Sequence, residues 1–152
     1  MAHIPVNHHL RPVYRSLATA AGLYVLAFGV AGFIRSRGTS AFSQGAMSAL
    51  GLQTNLAFSI ASFAAGVLIL LAVLVGRNVD YFVNLVAGVG FLAAGIAMMA
   101  LLRTDMNVLN FSIATCIVSF VIGMVLFSAG LYGKVGSIEA AATEEALRHG
   151  GH

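Results

Sequence analysis

Four long apolar runs, separated by short polar segments, dominate the pattern of hydrophobic and polar positions along the 152-residue chain. The runs cover positions 16–34, 56–75, 81–102 and 111–132. Because a helix rises about 1.5 Å per residue, roughly 20 residues cross the hydrocarbon core of a bilayer, and each run is close to that length. The pattern therefore predicts an all-α membrane protein with four transmembrane helices, in a single domain over residues 1–152.

Two pairs of similar segments indicate an internal repeat. The segment "FSIAS" at 58–62 returns as "FSIAT" at 111–115, and each copy opens a span, the second and the fourth. The segment "GLYVLAFGVA" at 22–31 aligns in the same way with "GVGFLAAGIA" at 88–97. Each half of the chain is thus predicted to form one helical hairpin, and tandem hairpins should be related by an approximate two-fold axis along the membrane normal. A chance match in alanine-rich membrane sequence is the alternative.

Small residues recur where the repeat predicts helix contacts. Lipid tails compete well with leucine, so helices in a membrane associate through close backbone approach, which favours Gly, Ala, Ser and Thr at the contacts. Equivalent helices should pack equivalently, which explains why the segments repeat. The predicted helix-packing positions are Gly22, Gly29, Ser59, Ser62, Gly66, Gly88, Gly95, Ser112, Thr115 and Ser119.

Composition and charge support a membrane location and predict an orientation. Hydrophobic residues make up 59% of the chain, charged residues 9%, and the mean hydropathy is +0.93. Five of the eight Lys and Arg residues lie in segments on the side of the two termini and three on the other side. The positive-inside rule therefore predicts that both termini of this multi-pass protein lie in the cytoplasm. The basic pI of about 9.5 favours phospholipid headgroups over nucleic acid as partners.

The apolar runs contain no Asp, Glu, Lys, Arg or His. Ionisable groups within a membrane usually mark proton relays, ion paths or substrate sites. Their absence from the runs argues against a pump, a proton-coupled transporter or an intramembrane hydrolase, so we expect no catalytic residue, no bound metal and no cofactor. The lone Cys116 is expected to pack in the bundle.

A few polar residues remain as candidates for contact with a partner or a lipid. Asn84 lies one turn into the third run and Asn110 precedes the fourth, where an amide most often bonds between helices, with a quinone headgroup or a partner backbone as the alternative. Arg35, Arg37 and Arg103 lie in loops on the side opposite the termini. The histidines are all terminal, where a shared metal site competes with plain polar tails: His3, His8, His9, His149 and His152.

The connecting segments predict two surface elements. The two repeat alignments have different offsets, which places an insertion in the first loop, between Arg35 and Asn55. The mixture of polar and apolar residues in that loop is compatible with an interfacial helical turn. Near the end of the chain, Ser137 as an N-cap and the alanine-rich residues after it predict a surface helix over 137–148.

Three segments resemble an uncharacterised four-span membrane family common in actinobacteria. They are "AGLYVLAFGVAGF" at 21–33, "GRNVDYFVNLVAGVGFLAAG" at 76–95 and "RTDMNVLNFSIATCIVSFVIGMVLFSAGLYG" at 103–133. The resemblance implies an actinobacterial plasma membrane. It also implies a similarity to small accessory subunits of the mycobacterial cytochrome bc1-aa3 respiratory supercomplex.

The leading hypothesis from the sequence is a non-catalytic accessory or structural subunit whose partners are other integral membrane subunits. The resemblance implies that these are subunits of a respiratory oxidase or supercomplex. The alternatives are a small-solute or lipid-handling protein with a polar cleft between its hairpins, and a membrane sensor that uses its terminal histidines. A handling protein should have a cavity in the membrane lined by Ser62, Thr115 and Ser119, whereas an accessory subunit should be filled there.

Overall fold

The computed structural model describes residues 5–149 and confirms the predicted class. Four helices are long and apolar enough to cross a membrane. They are α1 (Arg11–Arg35), α2 (Leu56–Val75), α3 (Val79–Leu101) and α4 (Ile113–Leu131), and α5 (Ile138–His149) follows them. Two short strands, β1 (Ser48–Ala49) and β2 (Leu52–Gln53), lie in the loop between α1 and α2. The predicted surface helix over 137–148 corresponds to α5, whose first turn is capped by the hydroxyl of Ser137.

Two helices begin earlier than the apolar runs, which brings charged residues into the helical segments. Helix α1 starts at Arg11, with a proline in its first turn, where the missing N–H costs no hydrogen bond. Helix α3 starts at Val79 rather than at Tyr81, so Asp80 lies in its first turn. The expectation that no ionisable residue belongs to a span is therefore corrected at the starts of α1 and α3, where Arg11, Arg15 and Asp80 lie within the helices.

The first loop forms a β-hairpin and not the helical turn that its composition suggested. Ser48 pairs with Gln53 and Ala49 with Leu52. The two residues of the turn, Leu50 and Gly51, have φ of 48° and 81°, the left-handed backbone that a tight two-residue hairpin requires. Ala49 and Leu52 are buried against Phe28, so the hairpin caps one end of the bundle.

Each helix packs most extensively against its sequence neighbour, α1 against α2 and α3 against α4. Glycines allow this close packing, because a Cβ at Gly29 would overlap the backbone nitrogen of Phe63. At the repeat-equivalent position, Gly95 lies against the backbone carbonyl of Cys116, the residue that the repeat aligns with Phe63. The two hairpins thus make corresponding contacts, as the repeat predicts.

The repeat is not followed at the helix starts. Helix α2 is capped by Asn55, whose side chain accepts from the N–H of Phe58 at 2.9 Å. Helix α4 is capped by Ser112 in a reciprocal arrangement with Thr115, whereas the equivalent Ser59 lies buried inside α2. The second copy of the repeated segment therefore starts its helix one turn later than the first copy.

Candidate functional site: a lipid-facing cleft between the hairpins

A buried carboxylate holds together the end of the bundle at which both described ends of the chain lie, here called the terminal face. Asp80 is 1% exposed, and its Oδ2 lies 3.1 Å from Nη2 of Arg11 and 3.5 Å from Nε of Arg15. Arg11 also donates to the carbonyl of Gly133, and Arg15 to that of Val73. The three charged side chains therefore connect α1 to α2 in its own hairpin and to the second hairpin.

Two asparagines complete this end by bonding to the chain after α4. Asn78, in the α2–α3 turn, donates to the carbonyl of Val135 at 2.9 Å and accepts from its N–H at 2.6 Å. Asn7 makes the same pair of bonds with Gly136. Since Asn78 adopts a left-handed φ of 70°, which asparagine tolerates better than most residues, the tight turn and the docking of the chain depend on the same side chain.

Three asparagines hold the opposite end, here called the loop face. Asn55 donates to the carbonyl of Val108, and Asn110 donates to those of Gly45 and Thr54. Asn107 exchanges two hydrogen bonds with the backbone of Phe111. The bonds of Asn55 and Asn110 join the loop of the first hairpin to the loop of the second, whereas those of Asn107 lie within the second loop. Each of these amides finds a partner, as buried amides in a low-dielectric environment require.

Between these two clamped ends, the hairpins leave an apolar cleft of about 530 Å³, which we call the inter-hairpin cleft. Its buried floor is formed by α1 and α4, for example by Val25, Phe28 and Thr115. Its mouth lies between α2 and α3, where Leu68 and Val86 are exposed. Lining residues of α3 run from 82 to 94, a length of about 18 Å along the helix. The cleft therefore opens sideways toward the membrane interior.

The repeated segment lies on both sides of this cleft. Phe58 and Phe111, the first residues of the two copies, meet with ring centroids 4.6 Å apart and close the cleft toward the loop face. Ser62 and Thr115, the last residues of the copies, both line it, as does Ser119. Hydroxyl groups are thus the polar chemistry that the repeat contributes to the cavity.

These hydroxyls differ in their availability to a ligand. Ser119 donates to the carbonyl of Phe91 at 2.7 Å, and Thr115 bonds with Ser112 at 2.9 Å. Ser62 is 5% exposed, and its hydroxyl takes part in none of the side-chain hydrogen bonds formed among residues 5–149. The surrounding walls are apolar, so the polar cleft proposed from the sequence is corrected to an apolar one that contains the free hydroxyl of Ser62.

The glycines predicted at helix contacts lie at close approaches. A Cβ at Gly66 would lie 2.6 Å from the nitrogen of Leu26, and one at Gly88 would lie 2.5 Å from that of Phe127. A Cβ at Gly22 would lie 2.9 Å from Cγ2 of Ile69.

The residues predicted to contact a partner or lipid do not form one site. Asn84 is 2% exposed, and its Oδ1 has no hydrogen-bond partner in the described part of the chain. The side-chain amide of Asn110 already donates to the carbonyls of Gly45 and Thr54 at the loop face. Arg35 donates to the carbonyl of Ser48 at 3.1 Å, Arg37 lies over the ring of Phe33, and Arg103 is exposed on the other loop.

The proposed histidine site falls largely outside the described residues. His3 and His152, together with the side chain of His149, are not described. His8 and His9 stack on each other with ring centroids 4.5 Å apart, and His8 also contacts the ring of Tyr132. These two histidines serve as an aromatic surface beside Tyr132.

Sequence reasoning missed the role of Asp80 and of two loop asparagines. The apolar run that predicts the third span begins at Tyr81, directly after Asp80, so the prediction leaves this acid outside the helix. A lone acid at the start of one span, with Arg11 and Arg15 before the first span on the same side, is a usable signal for a buried ion pair. Asn55 and Asn107 offered a weaker signal, since asparagine is common in loops for local reasons.

Four membrane-crossing helices around a laterally open apolar cleft define a multi-pass integral membrane protein. Within that class, the family described as domain of unknown function DUF4383 matches residues 15–132, and the chain belongs to this family. The match covers α2, α3 and α4 completely and α1 from Arg15 onward. It includes the whole loop face, and it leaves out the parts of the terminal face that precede Arg15 or follow Tyr132. Searches of curated proteins and of solved structures found no match.

Proposed function

We propose that this protein binds one elongated apolar molecule, the acyl or isoprenoid chain of a membrane lipid, in the inter-hairpin cleft. The protein then holds or presents that lipid and catalyses no reaction on it. The observation that carries this proposal is the cavity itself. A lipid-handling protein is expected to have such a cavity within the membrane, whereas an accessory subunit is expected to be packed there. Ser62, Thr115 and Ser119 line it as the handling hypothesis requires.

The size and chemistry of the cleft support an apolar chain as the ligand. Its volume of about 530 Å³ lies within the range of roughly 300 to 1,000 Å³ that is typical of small-molecule sites. A hydrocarbon chain matches the apolar walls, whereas a polar solute would lose its hydration without replacement hydrogen bonds. The free hydroxyl of Ser62 offers one hydrogen bond to an ester or hydroxyl of the bound lipid.

The clamps at both faces support a stable cavity. A cleft between helices closes when the helices are free to move together, since that buries more surface. Here the ion pairs of Asp80 at one end and the amide bonds of Asn110 at the other fix the separation of the hairpins. The cleft is therefore built into the frame of the bundle.

A pair of variants on α3 tests this proposal. Gly90 lines the cleft with open space where a Cβ would be added, and Ala97 is an exposed position of the same helix outside it. Gly90→Phe should fill the cavity, and Ala97→Phe should leave it open. Native mass spectrometry of protein extracted in mild detergent should show one more retained lipid in the wild type and in Ala97→Phe than in Gly90→Phe. The fraction of protein that carries this additional lipid should fall at least about tenfold in Gly90→Phe. Equal retention in both variants would contradict the proposal.

One observation favours an accessory-subunit role as a second candidate. Helix α3 exposes a row of small residues, Gly90, Ala93, Ala97 and Ala100, which suits close approach by a helix of another chain. The partner would be another integral membrane subunit, of a respiratory oxidase or supercomplex in an actinobacterial plasma membrane, with the termini of this chain in the cytoplasm.

Photocrosslinking from position 97 tests this candidate directly. A benzoyl-phenylalanine at that position should capture an oxidase subunit in gently solubilised membranes, and one at the buried position Leu126 should not. An intact supercomplex that lacks this chain would remove the candidate and leave the lipid proposal unaffected.

A further inference from the structure

A second groove lies on the opposite side of the first hairpin, at the loop face. It is a cleft of about 360 Å³ between α1 and α2, which we call the outer groove. Its walls are Val30, Phe33 and Ile34 from α1 and Ile60 and Phe63 from α2, and Arg37 lies at its end. The three α1 residues follow the spacing i, i+3 and i+4 on one helical face, and Arg37 lies in the turn two residues beyond the end of α1.

The guanidinium of Arg37 is available for a ligand. It lies 5.3 Å from the centroid of the Phe33 ring and takes part in no hydrogen bond or ion pair with residues 5–149. By contrast, its neighbour Arg35 is bonded to the Ser48 carbonyl. The aromatic contact orients the planar group at the groove without satisfying its N–H donors, since a π face accepts no strong hydrogen bond.

We propose that the outer groove binds an anionic phospholipid, with the phosphate on Arg37 and one acyl chain between α1 and α2. The apolar α1 wall extends from Val30 to Ile34, a depth of roughly 6 Å along the helix, and Arg37 lies just beyond it. A lipid places its phosphate at the membrane surface and its first methylene groups over that depth. The groove has the same order, a cation at the surface and apolar walls below it.

Charge complementarity selects an anionic lipid over a neutral one. The loop face carries Arg35, Arg37 and Arg103 against the single acid Asp105 in the two loops. A guanidinium forms paired, charge-assisted hydrogen bonds with phosphate oxygens, and a nearby choline group would repel these cations. This site differs from the inter-hairpin cleft in its walls, and its occupancy does not depend on the function proposed above.

The absence of tryptophan from the chain makes a direct test practical. Phe33→Trp places a single fluorophore in the outer groove and keeps the aromatic partner of Arg37. The protein is reconstituted in phosphatidylcholine vesicles that contain a fixed fraction of brominated phosphatidylglycerol or brominated phosphatidylcholine. Quenching by brominated phosphatidylglycerol should show about a tenfold higher apparent affinity than quenching by brominated phosphatidylcholine, because both lipids offer a phosphate but only the choline cation repels the arginines of the loop face.

Matched variants separate a site from general lipid contact. Adding Arg37→Gln should abolish the preference, whereas adding Arg103→Gln should leave it. Phe82→Trp, at the mouth of the inter-hairpin cleft, should show quenching without a preference for phosphatidylglycerol, and it reports on the other cavity independently. The preference should also persist when inorganic phosphate is added at constant ionic strength.

Three results would overturn the proposal. Equal quenching of Phe33→Trp by both lipids would identify ordinary surrounding lipid. A preference that survives Arg37→Gln would assign it to the general charge of the face. Loss of the preference on addition of inorganic phosphate would assign the site to the free anion instead of a lipid.

Discussion

Three glycines on α3 allow the contribution of close helix contact to be measured within one helix. A Cβ at Gly88 would lie 2.5 Å from the nitrogen and 2.7 Å from the Cα of Phe127, which are backbone atoms that cannot rotate away. At Gly95 the nearest atom belongs to the Phe120 ring, 3.1 Å away, which can adjust. At Gly90 the added carbon meets nothing within 4 Å. The same substitution, glycine to alanine, therefore meets three different environments.

The expected magnitude follows from these distances. Ordinary contact begins near 3.4 Å, so Gly88→Ala requires α3 and α4 to separate by about 1 Å. A gap of that size removes about a quarter to a half of the dispersion energy at each contact, and overpacking typically costs about 1 to 3 kcal/mol. The gain in helix propensity is the same in all three variants and cancels in their comparison. Relative to Gly90→Ala, we expect Gly88→Ala to lose about 1 to 3 kcal/mol and Gly95→Ala a smaller amount.

The single cysteine provides the assay. Cys116 is fully buried on α4, so a maleimide labels it only when the second hairpin opens. Under conditions where reclosing outpaces labelling, the rate reports the free energy of opening. Gly88→Ala should label roughly 5- to 150-fold faster than Gly90→Ala. Equal rates would show that close backbone approach does not stabilise this hairpin and would refute the packing argument.

Three further changes probe the polar groups of the two faces and of the bundle interior. Asp80→Asn removes the carboxylate that faces Arg11 and should lower the free energy of opening, measured by the labelling of Cys116, by about 1 to 3 kcal/mol. An unchanged labelling rate would show that the ion pairs of Asp80 do not hold the helices together. Asn110→Ala removes the bonds to Gly45 and Thr54 and should increase hydrogen exchange in the first loop while leaving α3 protected; exchange equal to wild type would show that the loops are held by other contacts. Asn84→Leu removes a buried carbonyl oxygen without a partner in the described part of the chain, so unfolding in detergent should be unchanged or harder by up to about 1 kcal/mol; a clear loss of stability would reveal a partner for this amide.

The class of the protein and the number and approximate positions of its spans follow from the sequence alone. Transmembrane length is set by bilayer thickness, and apolar side chains are required along nearly the whole of each span, so the signal is local and strong. The run over residues 56–75 coincides with α2 for this reason. The repeat also indicated the hairpins, because equivalent helix contacts require equivalent small residues.

Helix ends, loops and the cleft were decided by tertiary contacts. The start of α3 depends on Asp80 meeting two arginines of α1, which lie far earlier in the chain, and no local pattern reports that pairing. The first loop folds as a β-hairpin because its apolar residues Ala49 and Leu52 pack against Phe28 of α1. An apolar side chain that faces lipid, a neighbouring helix or a cavity looks the same in sequence. Only the separation of the four helices distinguishes these cases, and the ion pairs and amide bonds at the two faces of the membrane set that separation.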